Sequence, residues 1–225
     1  MDIVLRRREQ VAERTFAFHF DKPPGFSHQA GQNALFSLPS GTESRTFTIA
    51  SAPHERELMI ATRMRDSPFK RTLAELPAGA RLKIDEPAGM MVLHDEASRP
   101  AVFLAGGIGI TPFLSMLRDA EARRLPHRLL LIYSNRRPQD AAFLEELQHM
   151  QNRNFRLVAT MTEAADWKGE QRRVSRALLA EHLLDLLEPV YYFAGPLRMT
   201  MAMQGMLTEI GVKDDDMRAE EFYGY

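Results

Sequence analysis

The period of the hydrophobic pattern changes once along the 225 residues, near Ser98-Arg99-Pro100, and this change demands two differently built halves. Before it, short segments alternate apolar and polar residues with a period of two. They are Thr15 to Phe20, Asn33 to Leu38, Arg45 to Ala50, Leu58 to Met64 and Arg81 to Asp85. Pro and Gly clusters separate them (Pro23-Pro24-Gly25, Pro39-Ser40-Gly41, Pro77-Ala78-Gly79), the punctuation of an antiparallel barrel or sandwich. One helix is expected from Pro68 to Leu76, with Phe69, Leu73 and Leu76 on one face. After Pro100, apolar runs (Ala101 to Leu104, Leu129 to Tyr133, Phe155 to Ala159, Val190 to Phe193) alternate with helical patterns. Those patterns cover Pro112 to Arg124, Gln139 to Met150, Ser175 to Leu187 and Met199 to Ile210. Apolar runs of this kind suit parallel strands buried on both faces, joined by right-handed crossovers. The expected architecture is an antiparallel β-barrel over residues 1–98 followed by an α/β parallel-sheet domain of nucleotide-binding type over 99–225.

Composition removes several function classes. With 44% hydrophobic and 26% charged residues the chain has enough apolar surface to offset chain entropy, so it is expected to be globular. There is no cysteine, which excludes disulfides, thiol catalysis, Cys-zinc sites and a Cys-ligated iron–sulfur cluster within these residues. A net charge of −1 is far from the balance of a nucleic-acid binder, and Arg6-Arg7-Arg8 is too short to reverse it. No apolar run approaches the roughly 20 residues of a membrane-spanning helix. The start, Met1 to Arg8, shows no secretory pattern, so the expected location is cytoplasmic. The seven histidines form no metal-binding pattern, and Glu146-Leu147-Gln148-His149 has no second motif to complete a di-iron site. Met199, Met201, Met203 and Met206 read as helix core, and Asp214-Asp215-Asp216 as a solvated loop.

Three segments carry chemistry. Arg45-Thr46-Phe47-Thr48-Ile49-Ala50-Ser51 alternates Arg, aromatic and hydroxyl, a set that suits a phosphorylated planar ligand, although from these residues alone a half-buried strand with an exposed Arg accounts for it better. Leu104-Ala105-Gly106-Gly107-Ile108-Gly109-Ile110-Thr111-Pro112 follows a buried strand and opens a helix. Its glycines let backbone approach a diphosphate, and the helix N-terminus offers free N–H groups to it. The spacing is neither the usual dinucleotide fingerprint nor a P-loop, yet a plain strand–helix turn needs no three glycines. Tyr191-Tyr192-Phe193-Ala194-Gly195-Pro196 is a second strand end with a Gly-bearing turn, and ligands of open α/β sheets bind outside such carboxyl ends.

In this order the segments resemble the ferredoxin–NADP reductase superfamily over nearly the whole chain, and most closely its stand-alone FAD-binding reductases without an iron–sulfur domain. Arg45, Phe47 and Thr48 match the Arg-x-aromatic-Ser/Thr flavin motif. Gly106, Gly107, Gly109, Thr111 and Pro112 match the nicotinamide-nucleotide loop, which includes Ile108. Gly195 and Pro196 match the second nucleotide turn, and Glu220-x-Phe222 the C-terminal acid–aromatic pair.

The resemblance implies FAD held by the barrel, with Arg45 at its phosphate and Thr46, Phe47 and Thr48 along the flavin. Ala61, Thr62 and Arg63 occupy a second diphosphate-contacting position, and Lys70, Arg71 and Thr72 a third, with Lys70 where the family has Ser. Ala194 stands where many members have Cys beside the nicotinamide. Thr48, Glu220 and Phe222 are the candidate catalytic residues, and either Phe222 or Tyr225 is the ring covering the flavin. NADPH or NADH is the expected donor. Ser134, Asn135, Arg136 and Arg137 lie where a 2′-phosphate would sit, and the two arginines favour NADPH. The implied activity is hydride transfer from NAD(P)H to FAD, then electron transfer to a ferredoxin, a flavodoxin or an oxygenase component. The alternatives are a free-flavin or ferric-chelate reductase and a non-turnover electron-relay subunit.

Overall fold

The computed structural model describes residues 1–39, 41 and 43–222. Contacts divide the chain into two compact units, Met1–Val92 with Thr111–Arg123, and Leu93–Ile110 with Arg124–Tyr225. Among the described residues, no helix is long and apolar enough to cross a membrane.

The first unit is built on six strands: β1 (Asp2–Ala12), β2 (Thr15–Asp21), β3 (Asn33–Ser37), β4 (Ser44–Thr48), β5 (Glu57–Arg63) and β6 (Arg81–Ile84). They form one sheet in the order β4-β3-β6-β1-β2-β5, antiparallel throughout. The sheet curls until its two edges meet, where Ala50 N–H donates to Met59 O at 2.7 Å just beyond β4. Alternation puts Phe18, Phe20, Phe36, Ile60 and Leu82 inside, each at most 2% exposed. Helix α1 (Pro68–Glu75) starts on a Ser67 cap whose Oγ accepts from Lys70 N–H, with Pro68 in the first turn. It buries Phe69 and Leu73 in the barrel core. Helix α2 (Thr111–Arg123) belongs to this unit by its contacts. Its Ser115 Oγ donates to Ser51 O at 2.8 Å, and Arg118 pairs with Glu55 at 3.3 Å.

The second unit holds β7 (Ala101–Gly106), β8 (Leu129–Asn135), β9 (Phe155–Met161), β10 (Val190–Pro196) and β11 (Met217–Phe222). All neighbours are parallel, in the order β11-β10-β7-β8-β9. β7 is buried at every position, as a strand covered on both faces must be. Helices α3 (Leu144–His149), α4 (Arg176–Ala180) and α5 (Leu197–Ile210) complete the unit. At its base, Tyr192 OH lies 2.8 Å from both the N–H and Nδ1 of His94, and His127 Nε2 lies 2.8 Å from His94 O.

The barrel and the parallel sheet match the architecture read from periodicity. Two helices are shorter than their patterns suggest. The one expected from Gln139 begins at Leu144, because Phe143 sits in the left-handed region at φ +59° and breaks it from a preceding 3₁₀ turn. The one expected to reach Leu187 stops at Ala180, where Glu181 N–H closes on Ala177 O and Glu181 turns to pair with Arg172. Asp216 is no solvated loop residue, since it pairs with Arg99 at 2.7 Å.

Candidate functional site

Reading along the parallel sheet, strand order runs outward from β7 through β8 to β9, then returns to the other side of β7 as β10. β7 and β10 therefore flank the switch point, the place where open α/β sheets bind ligands outside the strand carboxyl ends. β7 ends in Gly106 and β10 in Gly195-Pro196. A Cβ on Gly109 would lie 2.2 Å from Ala194 O and 2.7 Å from Gly195 N. A Cβ on Gly195 would lie 3.1 Å from Gly106 Cα, and one on Gly106 would meet Met199 Sδ at 2.3 Å. Gly109 and Gly195 thus face backbone of the opposite turn, whereas Gly106 faces the Met199 side chain. Gly107 differs: it is half-buried and left-handed at φ +54°, the conformation that aims successive backbone N–H groups outward. Ile108, Thr111 and Pro112 are buried around it along the chain.

The end of β8 adds polar groups to the same edge. Ser134 pairs with Gly106 in register and is half-exposed. Asn135 is 6% exposed, and neither Oδ1 nor Nδ2 has a hydrogen-bonding partner. An orphaned buried amide costs about 1–3 kcal/mol, so Asn135 has both a donor and an acceptor to offer a ligand. Arg136 and Arg137 follow, and both reach Asp140, at 3.5 Å and 3.3 Å. The sequence pattern does not single out Asp140, although its spacing from two arginines is visible in Arg136-Arg137-Pro138-Gln139-Asp140.

On the far side of β10, β11 sets Glu220 opposite Ala194 and Phe222 opposite Pro196. Both side chains are half-buried. The acid–aromatic pair is thereby fixed beside the second glycine turn. Tyr225 lies outside the described residues. With a glycine cradle, a left-handed Gly107 and an orphaned amide on one edge, these residues fit a dinucleotide.

The first unit carries the other candidates. Arg45 and Thr46 are exposed on the edge strand β4, with Arg45 Nη1 donating to Ser44 O at 2.7 Å. Phe47 turns inward against Phe36 and Phe69, ring centroids 5.9 and 5.6 Å away, while Thr48 is buried. Ala61 and Thr62 are buried on β5, and Arg63 ends that strand half-exposed. Lys70 Nζ donates to Arg63 O at 2.8 Å, which ties the start of α1 to the end of β5. Burial, with the nearby Arg65 adding to it, holds the Lys70 ammonium below its usual pKa. Arg71 pairs with Asp66 and Thr72 is exposed. Ser67, which caps α1, is the position that sequence reading passes over, though Ser-Pro before an apolar face is a helix-start signal. An exposed Arg on the strand and a cationic end formed by Arg63, Arg65 and Lys70 fit an anionic group such as the diphosphate of FAD.

The model of the oxidoreductase NAD-binding domain matches residues 103–205. The glycine betaine monooxygenase reductase subunit of Chromohalobacter salexigens is 30% identical over 221 residues, which cover 93% of this chain and 60% of that protein. Reductase component 2 of terephthalate 1,2-dioxygenase from a Comamonas species is 28% identical over 201 residues, 86% of this chain and 59% of that protein. The chain spans about 60% of the length of these curated relatives. A ferredoxin NADP+ reductase from Neisseria gonorrhoeae, solved with bound FAD and NADP, superposes with a TM-score of 0.86 at 21% identity, covering 98% of both chains. The matched residues take in β7 to β10 of the parallel sheet, with most of α5. The chain as a whole shares its fold with that ferredoxin NADP+ reductase.

Proposed function

We propose that this protein is an NAD(P)H-dependent flavoprotein reductase of the cytoplasm, with FAD as its cofactor and a separate redox protein as its electron acceptor. The observation that carries the reading is the edge where Gly106 and Gly109 of one turn meet Ala194 and Gly195 of the other, beside the orphaned amide of Asn135. In this reading residues 1–98 form the flavin domain and 99–225 the nucleotide domain. The flavin, when bound, supplies the redox chemistry. The chain's own residues bind and orient: Arg45 and the Arg63–Lys70 end neutralise phosphate, and Phe47 and Thr48 shape the wall of β4. Gly107 turns backbone N–H groups toward the dinucleotide, Asn135 donates to and accepts from it, and Glu220, beside Ala194, orients or protonates. Phe222 and Tyr225 are the candidate rings over the flavin. The named relatives are reductase components of oxygenases, which supports an oxygenase component, a ferredoxin or a flavodoxin as acceptor.

Anaerobic mixing of the FAD-loaded protein with NADPH and with NADH tests the proposal. Loss of the flavin's visible absorbance on mixing is the expected result. Persistent absorbance with both nucleotides overturns it and favours a relay subunit.

A further inference from the structure

We propose that the cavity at the amino ends of β7, β8 and β9 binds a small monocarboxylate with an apolar body. The cavity measures about 310 Å³, near the lower end of the range for small-molecule sites, and lies wholly within the second unit. Its walls come from the starts of the three strands and from the 182–188 segment that precedes β10. The glycine turns stand at the carboxyl ends of the sheet, so the seven residues of β8 put roughly 20 Å between the two edges. Register pairs Arg156 with Leu130. Both therefore lie on the face where Leu130 packs in one cluster with Leu178 and Leu183.

Most polar groups of the cavity wall are engaged, and those that are not define the ligand. Arg128 donates to Glu188 Oε1 at 2.6 Å and to Ser98 O at 3.3 Å, and Asp185 Oδ1 accepts from Leu187 N–H at 2.8 Å. Arg153 and Arg156, both exposed, have neither a hydrogen bond nor an ion pair among the described residues. His182 Nδ1 is buried without a partner. An orphaned lone pair is tolerated better than an orphaned N–H, so the proton sits on Nε2 and the open edge of the ring is a donor. Burial and, after it, Arg156 hold this imidazole below its usual pKa, which keeps it neutral near pH 7. Three arginines against Asp185 and Glu188 then leave one positive charge. A monoanion matches that charge, whereas the two carboxylates oppose a phosphate dianion. Guanidiniums take a carboxylate through paired N–H donors. Leu130 and Leu183 supply an apolar wall, and Leu184 stands fully exposed at the lining, where a hydrocarbon body would cover it.

Titration of the whole ¹⁵N-labelled protein with benzoate, followed by NMR, tests this independently of any flavin or nucleotide chemistry. Saturable shifts of the His182 ring and of the Arg156 and Leu184 amides are expected, with a Kd of about a few mM or tighter, the strength a ligand this small sustains. Benzamide keeps the ring and removes the charge, and should bind at least about tenfold more weakly. Arg153→Gln and Arg156→Gln alter exposed side chains and are expected to fold, and each should weaken benzoate about tenfold. If one of them fails to fold, the other decides. Shifts at these positions that do not saturate by about 20 mM overturn the site. Benzamide binding as tightly as benzoate, or parental affinity in the folded variants, overturns the carboxylate reading. Inorganic phosphate that moves the same resonances as tightly as benzoate makes the arginines a general anion patch and overturns it too.

Discussion

Gly109→Ala adds one methyl group, and its cost follows from the turn geometry. The new Cβ would lie 2.2 Å from Ala194 O, 2.5 Å from Ala194 C and 2.7 Å from Gly195 N, where ordinary contact begins at 3.4 Å. All three atoms are backbone, at the end of a strand hydrogen-bonded to β7 with Ala194 opposite Ala105. Relief of more than 1 Å therefore has to come from separating the turns or breaking the ladder. Overpacking costs about 1–3 kcal/mol, and a clash with backbone belongs at the upper end, near 3 kcal/mol. Gly106→Ala is the control. Its Cβ also meets an atom too closely, Met199 Sδ at 2.3 Å, but a thioether on α5 can change rotamer. About 1 kcal/mol is expected there, and Met199→Ala in the same chain should remove most of it as a coupling in a double-mutant cycle. For a chain of this size 1 kcal/mol moves Tm by roughly 2–4 °C, so Gly109→Ala should melt roughly 6–12 °C below the parent and Gly106→Ala roughly 2–4 °C below. Scanning calorimetry of the three variants measures this. Equal shifts for Gly106→Ala and Gly109→Ala, or a drop under about 2 °C for Gly109→Ala, would refute the claim that touching backbones demand the glycines.

Three further outcomes are expected. Arg45→Ala removes an exposed cation that makes no ion pair among the described residues, so FAD affinity should fall about 10- to 100-fold at unchanged Tm, read from flavin fluorescence on dilution. Tyr192→Phe leaves the buried His94 N–H without its acceptor and should cost about 1–3 kcal/mol in urea unfolding; a cost below ~0.5 kcal/mol would count against the network. Burial holds His28, His94 and His182 below the usual imidazole pKa, so between those values and about 6.5 the unfolded chain binds more protons than the folded one. Stability is then full above about pH 6.5 and drains away as pH falls through the depressed values, and a Tm that stays flat from pH 7 to 5 would contradict this.

Much of the fold was legible because period alone separates the two kinds of sheet. Phe18, Phe20 and Phe36 are core for the reason that alternation gives, and β7 is uniformly buried as a continuous apolar run requires. The elements that escaped are those whose stability is tertiary. β1 runs eleven residues through Arg6-Arg7-Arg8, a stretch without an apolar face, held by β2 and β6 and by cross-strand pairs such as Arg7 with Glu57. β11 carries Glu220 and Glu221 and is a strand because β10 offers a parallel edge.

The glycines of the nucleotide loop show why motif and geometry have to be read together. In sequence Gly106, Gly107 and Gly109 look alike, and each suggests a backbone close to phosphate. In the fold they answer different demands. Gly106 and Gly109 are fixed by Met199 and by the Ala194–Gly195 backbone whether or not a ligand is present, and only Gly107 has the positive φ that turns a backbone outward. The arginines show the same division. Arg136 and Arg137 read as two free charges in a solvated turn, but the buried Asp140 beneath them leaves one net charge in a held geometry. A pattern of residue types reports which groups are present at an edge. How much of each group is already engaged depends on partners the chain supplies from elsewhere, so the groups still open to a ligand are found by subtraction. Here that subtraction leaves Gly107 and Asn135.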